Sequence, residues 1–124
     1  MENVTENPRA ATESILTSIK KLLGIAPEYD HFDPDIVMHI NTVLSVLTQL
    51  GVGPEDGFSI ESAEQTWDQF ITTTPHRFSM VKSFVYLKVR LLFDPPQSSA
   101  AIDSINRQIS ELEWRLFVAA DPAK

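Results

Sequence analysis

Between Pro75 and Phe93 the chain is apolar almost all the way round a helical wheel, and this stretch limits the fold more than any other. Beyond its first turn only Ser79, Lys82, Ser83, Tyr86 and Arg90 make a polar stripe, and Lys88 is the one charge on the remaining surface. A helix with so narrow a polar face is buried on most sides, so other helices must surround it. Its ends are marked in the sequence. Thr74-Pro75 supplies a capping hydroxyl and a proline suited to the first turn, and Asp94-Pro95-Pro96 stops the helix abruptly.

The rest of the chain provides the surrounding helices. Ile15, Leu16, Ile19, Leu22 and Leu23 recur at helical spacing, with Gly24 where a C-terminal cap belongs and Pro27 beyond it. Asp33 is the expected cap of a second helix, with Pro34 at its first position and Asp35 against the positive end of the dipole. There Ile36, Val37, Ile40, Val43, Leu44, Leu47 and Leu50 form an apolar arc opposite Asn41, Ser45, Thr48 and Gln49. Gly51 to Glu61 holds three of the four glycines and Pro54, and reads as a long loop in which Phe58 and Ile60 suit a short extended piece. Ser62 and Gln65 suggest a capping box opening a short helix with Trp67, Phe70 and Ile71. Ser98 or Ser99 caps a last helix, where Ile102, Ile105, Ile109, Leu112 and Leu116 make a narrow seam. The expectation is an all-α fold: a small helical bundle of four main helices plus one short helix, with a long loop after helix two. Residues 1–12 read as a mobile arm, 13–118 as the helical domain and 119–124 as a tail.

At 124 residues the chain has room for one domain, and a 43% hydrophobic fraction is enough for a core. Cysteine is absent, which excludes disulfides, thiolate metal sites and cysteine nucleophiles. No apolar run reaches the ~18 residues that span a bilayer, so no membrane partner is expected. The polar N-terminus lacks a signal-peptide core, and synthesis in the cytoplasm without secretion is expected. The net charge is −7 with the ten Lys and Arg residues scattered, so a DNA grip through a basic patch is disfavoured.

The pattern of a catalytic or metal site is missing. Three carboxylates and an imidazole crowd the run Tyr29-Asp30-His31-Phe32-Asp33-Pro34-Asp35, but the spacing fits no EF-hand loop, and acids gather at helix starts for electrostatic reasons. His39 and His76 have no companion at i+4 for zinc. No G-x-S-x-G elbow occurs, and Gly51-Val52-Gly53 follows a helix without the Gly-Lys-Ser/Thr ending of a phosphate loop. No cofactor, no metal and no catalytic residue is therefore expected.

Two features point to protein contacts instead. At 100° per residue the seam of the last helix occupies an arc about 80° wide, while Arg107, Glu111, Trp114 and Val118 fall on the opposite side. That face either packs within the subunit or meets another one, and tryptophan and arginine often carry interface energy. The second feature is the loop, whose residues Val52, Glu55, Asp56 and Phe58 form a candidate mobile contact segment too long for an ordinary helix–helix connection. Lys88 needs either a route to solvent or a carboxylate.

The ordered pattern of the chain resembles the head–tail connector (adaptor) proteins of tailed bacteriophages. The resemblance runs from I-L-x-x-I-K-K-L-L-G-I (Ile15 to Ile25) through the D-x-D-I entry (Asp33 to Ile36), I-N-x-x-L (Ile40 to Leu44) and Q-L-G-V-G (Gln49 to Gly53). It continues with T-W-x-x-F (Thr66 to Phe70), V-x-L-K-V-R-L-L-F-D-P-P (Val85 to Pro96) and E-W-R-L (Glu113 to Leu116). It implies a structural virion protein at the head–tail junction and a homo-oligomer, expected as a dodecameric ring. Its partners would be the phage portal protein and the next neck or tail-completion protein, with DNA only as cargo in the channel. A small helical regulator binding one partner, anti-repressor or antitoxin-like, is the alternative. An enzyme comes third.

Overall fold

The computed structural model describes residues 11–120, with side chains described to Val118. Among these residues there are five helices and no strand: α1 (Ile15–Leu23), α2 (Asp33–Gln49), α3 (Trp67–Phe70), α4 (Pro75–Phe93) and α5 (Ser99–Ala120). The all-α bundle of four main helices and one short one is the observed architecture. The arm expected over residues 1–12 and the tail over 119–124 lie almost wholly outside the described residues.

α4 is the central element. It packs against α1, α2 and α5, and Val81, Phe84, Val85 and Val89 are buried along it. The core continues through Ile15, Leu16 and Ile19 of α1 and Ile36, Ile40, Val43, Leu44 and Leu47 of α2. α5 lies against α4, with Ile109 and Leu116 buried and Ile102, Ile105 and Leu112 half-buried. Lys88 is half-buried, with its ammonium 5.5 Å from the centre of the Phe84 ring, an arrangement in which the ring face offsets lost hydration.

Most helix ends follow local sequence chemistry. Gly24 caps α1 at φ 84°, and Ile25 N–H donates to the Lys20 carbonyl at 2.8 Å, a turn that a Cβ would disfavour. Thr74 Oγ1 accepts from Arg77 N–H at 3.2 Å at the start of α4, and Ser98 Oγ accepts from Ala101 N–H at 3.2 Å at the start of α5.

Two starts differ from the sequence reading. Phe32 is the cap position of α2, without a side-chain hydrogen bond, and Asp33 already lies inside the helix. Its carboxylate is drawn to the buried ammonium of Lys20, 2.8 Å away, and so is not folded back onto the first turn. Ser62 and Gln65 do close a turn, since Gln65 Oε1 accepts from the N–H groups of Glu61 and Ser62 at 2.8 and 3.1 Å. The helix itself begins later, behind Thr66, whose N–H donates to Gln69 Oε1 at 3.1 Å. The short extended piece at Phe58–Ile60 forms no strand. The β-bridge present links Ser14 to Thr66, in isolation.

Candidate functional site

α5 uses one side to pack and leaves the other open. Trp114 is 65% exposed and Phe117 is 53% exposed. They are three residues apart, which makes them neighbours on a helix surface, so the two rings form one aromatic ridge. Arg107 and Glu111 are exposed beside it, and Val118 is half-buried. Glu111 is held by Arg115 one turn on, at 2.6 Å. An exposed pair of this kind contributes little stability and leaves both groups accessible.

Phe117 is absent from the contact residues read from the sequence. A stricter wheel would have found it, because Phe117 lies about 100° from the centre of the isoleucine seam. On the other flank of α5, a groove of about 450 Å³ runs along α4, with Met80, Leu87 and Leu112 among its apolar lining and His76 and Arg115 at one end.

The long loop is anchored at both ends. Asn41 takes both backbone groups of Ile60: its Nδ2 donates to the carbonyl at 3.0 Å, and its Oδ1 accepts from the N–H at 2.8 Å. Val52 is buried in the core, so this member of the contact set read from the sequence has no surface to offer a partner. Gly53 has φ +87° and lies so close to Phe70 that a Cβ would overlap the ring. Phe58 is half-buried against Phe70, with ring centroids 5.6 Å apart. What remains outward is the tip, Glu55 and Asp56, in a turn closed by Gly57 N–H to the Pro54 carbonyl at 3.0 Å.

Buried polar groups knit the far side of the molecule. Lys20 is only 2% exposed, and its ammonium donates to the Pro27 carbonyl at 3.0 Å as well as pairing with Asp33. Ser18 Oγ donates to the Ile15 carbonyl at 3.1 Å and accepts from the Trp67 indole N–H at 2.8 Å. Buried charge and buried indole N–H need such partners, so these contacts are structural. Lys20 and Lys21 stand side by side in the sequence with nothing local to tell them apart. Lys21 is indeed exposed, and the difference between the two lies in which helix face each occupies.

Among the described residues no group of three or more His, Asp or Glu side chains is placed to hold a metal ion, and no helix is long and apolar enough to cross a membrane. The molecule is a helical bundle with Trp114 and Phe117 exposed on the outer side of α5. The chain belongs to the phage connector protein family, which matches residues 15–123, and is a phage head–tail connector. No curated protein and no solved structure matches it.

Proposed function

We propose that this connector assembles as a ring, dodecameric in the virion, seated on the portal protein and extending the DNA channel toward the next neck or tail-completion protein. The observation that carries this reading is the extent of the family match, residues 15–123, which takes in all five helices as one unit. The charge of −7 supports DNA as cargo, because an acidic wall repels the phosphate backbone and lets it slide. The ridge of Trp114 and Phe117, with Arg107, Glu111 and Val118 around it, is the surface offered to a neighbouring subunit. The loop tip at Glu55 and Asp56, with Phe58 behind it, is a second contact, mobile in the free subunit and held on assembly. The protein is made in the host cytoplasm and ends at the head–tail junction of the virion, where it acts without catalysis.

Negative-stain microscopy and mass photometry of the purified chain, alone and mixed with its portal protein, test this directly. Rings coaxial with the portal are expected. A chain that stays monomeric with portal present, and instead binds one other protein in equal ratio, would replace the connector ring with the regulator reading. Amide exchange tests the loop: Glu55 to Phe58 should exchange fast in the free subunit and slow down in the ring, and equal rates in both states would remove the loop from the interface.

A further inference from the structure

Two exposed aromatic patches lie at opposite ends of the α4–α5 pair. The ridge of Trp114 and Phe117 is at the end where the last turns of α5 run beside the start of α4, since His76 and Arg115 line one groove. The other patch is built on the end of α4. Phe93 meets Phe32 edge-on with centroids 5.3 Å apart, and Phe32 meets His31 at 4.9 Å and Tyr29 at 5.8 Å. Tyr29, His31 and Phe32 are all exposed. At 1.5 Å per residue, a helix of this length separates the two patches by roughly 25 Å.

The two ends also differ in charge. Around the Tyr29 patch, Glu28, Asp30, Asp35 and Asp94 have no ion-pair partner among the described residues, and the cation nearest to them in sequence outside the Lys20–Asp33 pair and Lys21 is Arg90, bound to the Asp94 carbonyl. On the Trp114 side, Arg77 and Arg107 have no ion-pair partner among the described residues, Arg115 is paired with Glu111, and Asp103 and Glu113 are the unpaired acids, so this side is balanced rather than acidic. The buried Nε of Arg77 also lacks a hydrogen-bond partner among the described residues. Two acidic ends brought together repel, whereas the unpaired arginines of the balanced end can face the unpaired acids of the other.

We infer that the Trp114–Phe117 ridge of one copy docks on the Tyr29–His31–Phe32 patch of a second copy of this chain. The contact joins two different surfaces, and a heterologous contact of this kind closes into a ring when its rotation permits. The inference rests on the ring reading above and names the two faces that meet in it.

The absence of cysteine makes the test clean. Ser110→Cys places a thiol one turn from Trp114, and Asp30→Cys places one in the aromatic patch. Both sites are exposed, so the fold should tolerate them. Under oxidation of the ring, assembled alone or on the portal, a mixture of the two single variants should give cross-linked dimers and the double variant a ladder. Each single variant alone should give none. In parallel, Trp114→Asp and Tyr29→Asp should each weaken self-association at least tenfold with unchanged circular dichroism, and an equimolar mixture of the two should recover a heterodimer through the one intact pair of faces. Rings that form normally in both Asp variants, or Ser110→Cys linking to itself without mixed dimers, would overturn this pairing while leaving the ring intact. A wild-type chain that never oligomerises would overturn the ring, and the pairing with it.

Discussion

Trp67 and Trp114 are the two tryptophans of the chain, and their surroundings are opposite. Trp67 is fully buried at the corner of α1, α3 and α4, with its N–H given to Ser18 and its ring edge-on to Phe78 at 5.6 Å. Trp114 stands two-thirds exposed on a helix that packs mainly on α4. The first region satisfies its polar groups internally and holds the fold together. The second leaves its largest apolar group mostly in solvent. The same residue type therefore anchors the fold in one place and, under the proposal above, serves association in the other.

The strongest challenge to this contrast is Trp67→Ala, which empties a core site and leaves Ser18 Oγ without its donor. Urea unfolding should show a loss of about 4 kcal/mol, and a loss below about 1 kcal/mol would mean that the corner is not the anchor. Lys20→Met comes next. It removes a buried charge and leaves Asp33, which is partly exposed and can rehydrate, so the cost should be about 2 kcal/mol, below that of breaking a fully buried pair. The same measurement reads it, and unchanged stability would show that the ammonium reaches water instead. Gly53→Ala should cost about 1–2 kcal/mol, from a left-handed backbone position and the overlap with Phe70. Its effect should appear as faster amide exchange at Val52 and Phe70. Smallest in stability is Trp114→Ala, expected within about 0.5 kcal/mol of the parent but with self-association lost. In Trp67→Phe the remaining indole should be readily quenched by acrylamide in the free subunit and protected in the ring.

The sequence made the helix ends legible where the signal was local. Thr74-Pro75, Gly24 and Ser98 act on groups within one turn of themselves, and each does what its chemistry suggests. Asp33 and Gln65 carried equally good local signals and were read as a cap and a helix opener, yet tertiary partners or a nearer turn claimed their oxygens. Asn41 was read as part of a solvent face, because nothing in its neighbourhood announces a partner nineteen residues away. The burial of Lys20 was invisible for a similar reason: its ammonium is satisfied by a carbonyl seven residues on and an acid in the next helix. Of the exposed aromatic groups on α5, Trp114 was legible from its angle on the wheel. Phe117 was passed over, and Val52 was placed outside when the loop folds it inward.

The double hydrogen bond from Asn41 to Ile60 has a practical consequence. It fixes the return of the loop independently of what lies at the tip, and Val52 fixes the departure. The segment between them can therefore change length without dragging the core, as exposed loop tips commonly do. A short epitope or a dye-binding peptide inserted between Glu55 and Asp56 should leave the subunit folded. Such a tag would mark one pole of the free subunit, and a ring that no longer forms with the tag in place would put the tip in the interface.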